Sequence, residues 1–500
     1  MKRIVNAFLG KLKWGKRGYA VFALCVATAV ALPAQTFTTL LSFDSTDGFE
    51  PAAALVQVSN GDLYGTTATG GAYGSGTVFR INPSGALTTL HNFSSRTNGG
   101  LPEAALVQAA SGDLYGTTSL GGPDNGLGTV FKITLRGALT TLDSFGPTDG
   151  YGPYAGLVQA TNGDFYGTTS ISGANGGGAV FKITPSGALT TLYSFCAQSG
   201  CTDGEGPEGT LIQATNGYLY GTTGGGGANG AGTVFKMTPS GTLTTLHSFD
   251  GTDGADPLAG LVQATSGDFY GTTNYGGANG DGTVFKITPS GTLTTLYSFC
   301  SQSGCTDGWG PVGGLIQATN GDLYGTTEYG GANNNPNCSA VSGTTGCGTV
   351  FKITPSGTLT TIYSFCSQSG CTDGYAAYAG LVQATNGDFY GTTEFGGTSS
   401  TCTDAYLFGC GTVFSLSEGL GPFVKTQTTS GKVGAHVKIL GTDLTGATSV
   451  SFNGTAAVFT VVSPSLITTT VPAGATTGKV EVATPGGGLL SSNVPYRVLP

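Results

Sequence analysis

One short motif, Gly-Asp-Leu/Phe-Tyr-Gly-Thr-Thr, recurs along most of this chain and limits the folds that it can adopt. The fourth copy has Tyr in place of Asp. Repetition at a roughly fixed period of about 50 residues is typical of an array of equal structural units. The sequence therefore predicts seven copies of one unit, and the motif tyrosines that mark them are Tyr64, Tyr115, Tyr166, Tyr220, Tyr270, Tyr324 and Tyr390.

Each unit contains four runs rich in Val, Thr, Tyr and Phe, which are residues that suit β-strands. In the fifth unit these runs, named strands a to d, are residues 260–264, 268–273, 283–287 and 293–299. Strands a and b are joined by Asn-Gly or Ser-Gly, and strands c and d mostly by Pro-Ser-Gly, which are turn sequences. Four antiparallel strands repeated seven times predict a β-propeller of seven blades.

The two ends of the repeat region are complementary. Residues 37–43 read as a strand d with no earlier partners, and the last unit (379–416) has strands a, b and c but no strand d. The predicted fold class is therefore all-β: a seven-bladed β-propeller closed by an N-terminal strand, plus a C-terminal immunoglobulin-like β-sandwich. The domains are predicted at 35–420 and 421–500.

Residues 1–34 differ from the rest because they hold six basic residues, no acidic residue and an apolar run at 19–32. This pattern is typical of a signal peptide for secretion, and the run is shorter than the ~20 residues that a membrane-spanning helix needs. Its removal leaves 13 basic against 28 acidic residues. Such a balance argues against nucleic acid as a partner, and no membrane span is predicted after cleavage.

Differences between units concentrate in the b–c loops and in the crossings from strand d to the next strand a. Ten cysteines occur there in five local pairs, which is typical of disulfides formed in an oxidising compartment. Metal binding is the alternative, but the zinc-type Cys-x₂-Cys spacing is missing. The predicted pairs are Cys196 with Cys201, Cys300 with Cys305, Cys338 with Cys347, Cys366 with Cys371, and Cys402 with Cys410.

Aromatic residues on the same loops are the first candidates for ligand contact, because aromatic side chains on rigid loops stack on sugars or anchor protein partners. The alternative is that they cover the loops and disulfides; Tyr73, Tyr406 and Phe408 share this placement. The candidates are Tyr275, Trp309, Tyr329, Tyr375 and Phe395.

Glu328 and Glu394 follow Gly-Thr-Thr in the sixth and seventh units and are further candidates for ligand binding. Equivalent points on adjacent blades are expected to lie beyond the ~5–9.5 Å that paired glycosidase carboxylates span. The aspartates of the recurring Thr-Asp-Gly are expected to cap their own turns rather than to bind Ca²⁺. No catalytic residue, metal site or cofactor is predicted.

The motifs Gly-Asp-Leu-Tyr-Gly-Thr-Thr and Gly-Thr-Val-Phe-Lys-Ile-Thr-Pro-Ser-Gly, over residues 37–417, resemble the GloVer tandem repeat of exported bacterial proteins. More loosely, they resemble the blades of streptogramin-lyase-like propellers, whose His and Glu have no counterpart here. Residues 422–500 resemble an IPT/TIG domain, an immunoglobulin-like sandwich that implies a spacer or interaction role.

The predicted function is that of a secreted or cell-surface binding or structural protein, acting through the disulfide-stapled loop face formed by the b–c loops and d–a crossings. The expected partner is a carbohydrate or a cell-surface protein, and the protein is expected to be a monomer. The alternative is an extracellular enzyme, a lyase or glycosidase, acting on a polysaccharide or small exported substrate.

Overall fold

The computed structural model describes residues 35–123, 126–335, 338, 346–402, 409–485 and 487–500. Within these ranges the protein is all-β and has no α-helix. Single 3₁₀ turns occur at Ser199–Cys201, Ser303–Cys305 and Ser369–Cys371. The predicted signal peptide, 1–34, lies outside the described residues.

Residues 36–417, apart from the gaps just given, form seven four-stranded antiparallel sheets, each in the order a–b–c–d. The a strands are β2 (Val56–Gln57), β6 (Val107–Gln108), β10 (Val158–Gln159), β14 (Ile212–Gln213), β18 (Val262–Gln263), β22 (Ile316–Gln317) and β26 (Val382–Gln383). The b strands are β3 (Leu63–Thr67), β7 (Leu114–Thr118), β11 (Phe165–Thr169), β15 (Leu219–Thr223), β19 (Phe269–Thr273), β23 (Leu323–Thr327) and β27 (Phe389–Thr393).

The outer half of each sheet consists of strands c and d. The c strands are β4 (Thr77–Ile81), β8 (Thr129–Ile133), β12 (Ala179–Ile183), β16 (Thr233–Met237), β20 (Thr283–Ile287), β24 (Thr349–Ile353) and β28 (Thr412–Ser417). The d strands are β5 (Leu87–Asn92), β9 (Leu139–Ser144), β13 (Leu189–Ser194), β17 (Leu243–Ser248), β21 (Leu293–Ser298) and β25 (Leu359–Ser364), and the seventh is β1 (Thr36–Ser42).

The N-terminal strand completes the seventh sheet. Strand β1 runs antiparallel to β28, with Thr36 opposite Ser417 and Ser42 opposite Thr412. Phe37 stacks on Tyr363 of the sixth sheet, with 3.8 Å between ring centroids. Strand β1, at the start of the domain, is therefore paired with strand β28, at its end.

The glycine of the motif is explained by packing on the b strands, which are buried along their whole length. A Cβ on Gly271 would lie 2.6 Å from Cζ of Phe285 in strand c and 2.8 Å from Cδ2 of Leu261 in strand a. Only glycine leaves room for these two side chains. The same contact recurs in the other six sheets.

The motif tyrosine is a core residue whose hydroxyl reaches the a–b turn. Tyr64 is fully buried, and Asn60 Nδ2 donates a hydrogen bond to its hydroxyl oxygen over 3.1 Å. Four further sheets have the same Asn–Tyr contact. The asparagine thus satisfies a buried polar group in addition to forming the turn.

A glutamine at the end of each a strand joins neighbouring sheets. Its side-chain oxygen accepts a hydrogen bond from the a–b turn of the preceding sheet, and its amide nitrogen donates to its own turn. Gln57 of the first sheet accepts from the backbone N–H of Thr385 in the seventh over 3.0 Å. The other six contacts join the remaining adjacent pairs of sheets in sequence order.

Residues from Lys425 onward form two four-stranded sheets and a parallel pair. One sheet has the order β29-β31-β35-β34: Lys425–Thr426, His436–Leu440, Leu466–Thr470 and Phe459–Ser463. The other has the order β33-β32-β36-β37: Thr455–Ala457, Ser449–Phe452, Val480–Ala483 and Leu489–Ser491. The pair joins β30 (Ser430–Lys432) to β38 (Arg497–Leu499), and Val437, Ile439, Phe452, Ile467 and Tyr496 form the core between the sheets.

The C-terminal domain contacts the a–b turns of the seventh, first and second sheets. Thr442 Oγ1 lies 2.9 Å from Thr385 Oγ1, and Ser465 donates to the carbonyl of Ser59 over 3.2 Å. Lys438 Nζ donates to the carbonyl of Ala110 over 3.3 Å. This contact leaves the b–c loops and d–a crossings on the other side uncovered by that domain.

Candidate functional site

The b–c loop and the d–a crossing of each sheet are joined by an antiparallel bridge, and together they form the loop face. The bridged pairs are Phe49 with Thr69, Gly100 with Leu120, Tyr151 with Ile171, Glu205 with Gly225, Ala255 with Tyr275, Trp309 with Tyr329, and Tyr375 with Phe395. Four of the five aromatic candidates therefore pair with one another. The fifth, Tyr275, pairs with an alanine.

These aromatic candidates differ in their exposure. Trp309 is only 8% exposed and Tyr375 only 4%. Trp309 stacks on Tyr329 with 4.3 Å between ring centroids, and Tyr375 lies 5.5 Å from Phe395. Tyr275 is half exposed, at 51%. Of the five, Tyr275 thus offers the most surface for a ligand to stack on, while Trp309 and Tyr375 mainly cover the loops.

The five predicted cysteine pairs are all bonded: Cys196–Cys201, Cys300–Cys305, Cys338–Cys347, Cys366–Cys371 and Cys402–Cys410. Three of them bracket the 3₁₀ turns in the d–a crossings, where a buried aspartate holds the turn. Asp203 accepts hydrogen bonds from the backbone N–H groups of Ala197 and Gln198 and from the hydroxyl of Tyr193. Asp307 and Asp373 make equivalent contacts. These aspartates therefore cap turns.

Cys410 lies in the b–c loop of the seventh repeat, as the sequence predicted, and the structure shows that it is buried there. It lies two residues before strand β28 and is fully buried, in the same core cluster as Phe43 and Tyr390. Thr401 Oγ1 lies 3.5 Å from its sulfur. Because the chain enters the sheet at this point, Cys410 anchors the loop to the core and is not available to a ligand. Tyr406 and Phe408, between the two cysteines of this pair, lie outside the described residues.

Three positions in each repeat contribute side chains to the loop face. They are the residue before the proline of the d–a crossing, the residue after that proline, and the residue after Gly-Thr-Thr. In the seventh repeat Ala377 stands in place of the proline. In every sheet, the N–H after Gly-Thr-Thr donates to the carbonyl of the first of these residues. We name the acidic and tyrosine residues at these positions the carboxylate cluster. Its members are Glu50, Glu103, Tyr154, Glu208, Asp256, Glu328, Tyr378 and Glu394.

Electrostatic interactions show that the cluster converges from several sheets. Burial raises the pKa of Tyr378, and the negative charges of Glu208, Glu328, Glu394 and Glu103 raise it further. These acids come from the fourth, sixth, seventh and second sheets. Tyr378 is still 36% exposed, so a tyrosine with open surface is within electrostatic reach of four carboxyl groups.

Glu394 has the most altered acidity in the cluster. Burial raises its pKa to about 8, and the charges of Glu328, Glu50 and Glu103 contribute in the same direction. Burial also raises the pKa of Glu328, while a hydrogen bond from Tyr329 opposes this. Glu394 is therefore largely protonated at neutral pH and can donate a hydrogen bond.

The backbone before the proline is left-handed in all seven crossings. Gly152, Gly206 and Gly310 occupy this position in three repeats, as expected for a conformation that favours glycine. Glu50 and Asp256 adopt it with φ values of 59° and 57°. Two carboxylates are thus held at positions where an L side chain costs free energy.

One cluster oxygen is enclosed without a partner. Oε2 of Glu103 has no hydrogen bond among the described residues and is shielded from solvent. Such atoms cost free energy unless another group supplies a hydrogen bond. Burial raises the pKa of Glu103, while a hydrogen bond from Ser119 opposes this.

The spacing of the cluster does not resemble a metal centre. In the described part of the chain, the groups of three or more potential ligand atoms within 4.8 Å of one another all contain disulfide cysteines. Sulfur atoms already bonded to each other are not metal ligands. The cluster instead spreads its oxygens over several sheets, as contacts to a larger organic ligand would require.

Sequence reasoning identified Glu328 and Glu394 but missed the rest of the cluster. The signal was present in the crossings, which read Gly-x-x-Pro in six copies and Gly-x-x-Ala in the seventh. The positions that flank the Pro or Ala vary between Gly, Ala, Val, Leu, Tyr, Glu and Asp. Only the fold shows that these positions, far apart in sequence, converge.

Comparison with known families identifies the repeats. The profile of the Gloeobacter/Verrucomicrobia repeat matches residues 26–162 and 124–339, which is more than half of the chain. The chain belongs to this family. The IPT/TIG domain matches residues 422–498, so both predicted resemblances are confirmed. No curated protein matches the chain.

One solved structure supports the fold of this Gloeobacter/Verrucomicrobia repeat protein. A fungal alcohol oxidase of the AA5 family, in complex with copper, matches with a TM-score of 0.53 and 13% identity, covering 93% of this chain and 99% of its own. The periplasmic gluconolactonase of Pseudomonas aeruginosa matches with a TM-score of 0.43 and 17% identity, covering 71% and 98%. The first likeness shows the fold alone.

The family, the IPT/TIG domain and the five disulfides together are consistent with an extracellular protein that has a binding or structural role. Within the described residues, no helix is long and apolar enough to cross a membrane.

Proposed function

We propose that this chain is an exported binding protein whose seven sheets are the blades of a β-propeller closed by strand β1. The support is the series of glutamine contacts, in which the seventh sheet bonds to the first as each other sheet bonds to its neighbour. A buried threonine makes a second connection across the same junction. The hydroxyl of Thr392 donates a hydrogen bond to the carbonyl of Ala53. Residues 1–34 are proposed as the export signal.

The carboxylate cluster is the proposed ligand site. The observation that carries this proposal is Tyr378, an exposed ring influenced by carboxylates from four different sheets. In a closed ring of blades, only a position near the axis lies close to so many sheets. Converging polar groups of altered pKa are typical of binding sites.

The proposed ligand is a carbohydrate. Carboxylate oxygens accept hydrogen bonds from sugar hydroxyls, the protonated Glu394 donates one, and Tyr378 and Tyr154 supply aromatic surface. Anionic ligands are disfavoured because Arg96 is the only Lys or Arg in the b–c loops and d–a crossings of the sequence. Tyr275, which is half exposed, is proposed as a peripheral stacking residue.

A second candidate function is hydrolysis or elimination on a polysaccharide. Glu394, with its raised pKa of about 8, has the property of a general acid at neutral pH. The neighbouring Glu328, whose charge acts on Glu394, is the complementary carboxyl group. Turnover of a polysaccharide by the wild-type protein, lost in Glu394→Gln, would establish this function.

The binding proposal is tested by a glycan array, followed by titration calorimetry with the best oligosaccharide. Tyr378→Ala is expected to lower affinity at least about tenfold, because it removes the central ring and its hydroxyl. Tyr218→Ala is the matched control, since Tyr218 is similarly exposed, at 40%, but lies in an a–b turn on the opposite face.

Equal losses in the two variants, or a loss in Tyr218→Ala alone, would place the ligand elsewhere. Absence of binding to every glycan would refute the carbohydrate proposal. Thermal unfolding of both variants verifies that the fold is intact.

A further inference from the structure

The loop face contains one asymmetric cavity of about 280 Å³. It lies between the third, fourth and fifth sheets, beside the crossing that carries the Cys196–Cys201 disulfide. Ser170 and Ile171 line it on one side and Asp256 and Leu258 on the other, with Glu205 and Glu208 from the fourth sheet. Its volume is at the small end for ligand pockets.

The cavity exists because the fourth repeat has glycine where other repeats have side chains. The residue after Gly-Thr-Thr is Gly224, whereas the fifth repeat has Asn274 and the sixth Glu328. The next residue is Gly225, where the fifth and sixth repeats have Tyr275 and Tyr329. Neither glycine has a positive φ, so the backbone does not require them.

The space that these glycines leave is bordered by acidic groups. A Cβ on Gly224 would lie 2.9 Å from Oδ1 of Asp256 and 3.3 Å from Cδ2 of Leu258. A Cβ on Gly225 would lie 2.9 Å from Cγ of Glu205. An added side chain would thus compete directly for the space against the carboxyl groups.

The cavity combines negative charge with apolar surface. Glu205, Glu208 and Asp256 line it, no basic residue does, and Ile171 and Leu258 supply aliphatic surface. Burial raises the pKa of Glu208, and the charges of Asp256 and Glu103 raise it further. A bound cation would relieve this repulsion and form charge-assisted hydrogen bonds.

We propose that this cavity binds the protonated amino group of an amino sugar, with Glu208 and Asp256 as its acceptors and Leu258 against the sugar ring. The proposal rests on the proposed carbohydrate function and specifies it: the carboxylate cluster binds the oligosaccharide, and the cavity that includes its members Glu208 and Asp256 selects a residue that carries a free amine. A neutral residue at this place supplies no charge to balance the two carboxylates, of which Asp256 already accepts a hydrogen bond from Asn274 Nδ2 over 3.3 Å.

The test compares three oligosaccharides of equal length by titration calorimetry: a β-1,4-glucosamine tetramer, its fully N-acetylated form and a β-1,4-glucose tetramer. Wild type is expected to bind the glucosamine tetramer at least about tenfold more tightly than either neutral tetramer. This preference is expected to fall as salt concentration rises.

Two kinds of variant separate the contributions. Glu208→Gln removes a charge at constant size. Gly224→Asn fills the cavity with the residue that the fifth repeat already has at this position, so the fold is expected to accept it. Both variants are expected to bind the three tetramers with affinities within about twofold of one another. Asp164→Asn, on the opposite face, is expected to leave the preference for the glucosamine tetramer unchanged.

Equal affinity of wild type for the three tetramers overturns the cavity proposal, as does a preference that survives in both variants. If the neutral tetramers bind and Tyr378→Ala abolishes this, the carbohydrate site stands and only the cavity proposal fails. If amine-dependent binding is lost in Gly224→Asn but unaffected by Tyr378→Ala, the cavity proposal stands and the proposed carbohydrate contact at Tyr378 fails. Absence of all binding refutes both.

Discussion

The two faces of the seven-sheet domain are built from the same repeats but differ in how their charged side chains are paired. On the hairpin face, formed by the a–b and c–d turns, an acidic and a basic residue form an ion pair within the first, third and fifth sheets. Lys182 lies 3.8 Å from Asp164 and Lys286 3.7 Å from Asp268. The loop face has an excess of acidic groups, and several of them have raised pKa values.

The comparison shows how a repeat protein separates folding from recognition. Hairpin-face residues recur because each one makes a contact that every sheet needs, such as the glutamine that joins neighbouring sheets. Loop-face residues vary because the backbone bridges there need no particular side chain. The left-handed position before the crossing proline likewise holds Glu50, Leu101, Asp256 or Ala376 in different repeats.

The largest effect is expected from the repeated core. Phe285→Ala empties the space over Gly271 in a fully buried contact, and we expect a loss of ~3–5 kcal/mol in the free energy of unfolding. Urea unfolding followed by fluorescence measures it. Tyr275→Ala on the loop face serves as the comparison, and an equal loss there would contradict the division between the faces.

A smaller effect is expected from a loop-face disulfide. Replacing Cys300 and Cys305 together by serine removes a short covalent loop, and we expect a loss of about 2 kcal/mol. The crossing from the fourth to the fifth sheet has no cysteines, and its turn still forms. There Asp253 accepts a hydrogen bond from the backbone N–H of Asp250. A loss as large as that in Phe285→Ala would mean that the disulfide supports the core.

Closure of the ring is tested at its junction. Gln57→Ala leaves the N–H of Thr385 without its partner, at a cost of ~1–3 kcal/mol. Gln383→Ala is the matched variant between the sixth and seventh sheets, since Gln57 and Gln383 are both buried. Equal losses in urea unfolding are expected. A negligible loss in Gln57→Ala alone would show that the seventh and first sheets are not joined in solution.

The last prediction is a pH dependence from the loop face. Burial raises the folded-state pKa of Glu394 from an ordinary value of 4.5 to about 8. Between these values the unfolded chain releases a proton that the folded protein keeps, so the stability contributed by this group falls as pH rises. Glu394→Gln is expected to reduce that fall between pH 5 and 8, as measured by thermal unfolding. Parallel pH profiles for the two proteins would exclude it.

Much of the fold could be predicted from the sequence because the same turn and strand sequences recur in the seven copies of the repeat. The turns, the strand order and the complementary ends followed from Asn-Gly, Pro-Ser-Gly and the strand at 37–43. The disulfide pairs followed from short spacing. The roles of the motif residues were less accessible: the glycine of Gly-Thr-Thr is required by the ring of Phe285, which packs against it from another strand.

The candidate site could be predicted only in part. Glu328 and Glu394 stood out because their repeats differ from the others at one position. Glu103, Glu208 and Tyr378 did not stand out, since residues separated by hundreds of positions have no visible relation before the sheets assemble. The burial of individual loop side chains could not be predicted from the sequence either. Trp309 is a loop aromatic by its sequence position but is covered by Tyr329, and the loop cysteine Cys410 is fully buried in the core.

By itself, the sequence determined the repeating unit, the number of copies and the family, because these depend on local patterns of turns and strand residues. Only the tertiary structure decided which of the varying residues meet. Electrostatic coupling and cavity volume depend on distances between sheets, and these distances are set by packing of the repeated core. The motif tyrosine therefore defines the scaffold, and the glycines and acids that depart from the repeat define the candidate site.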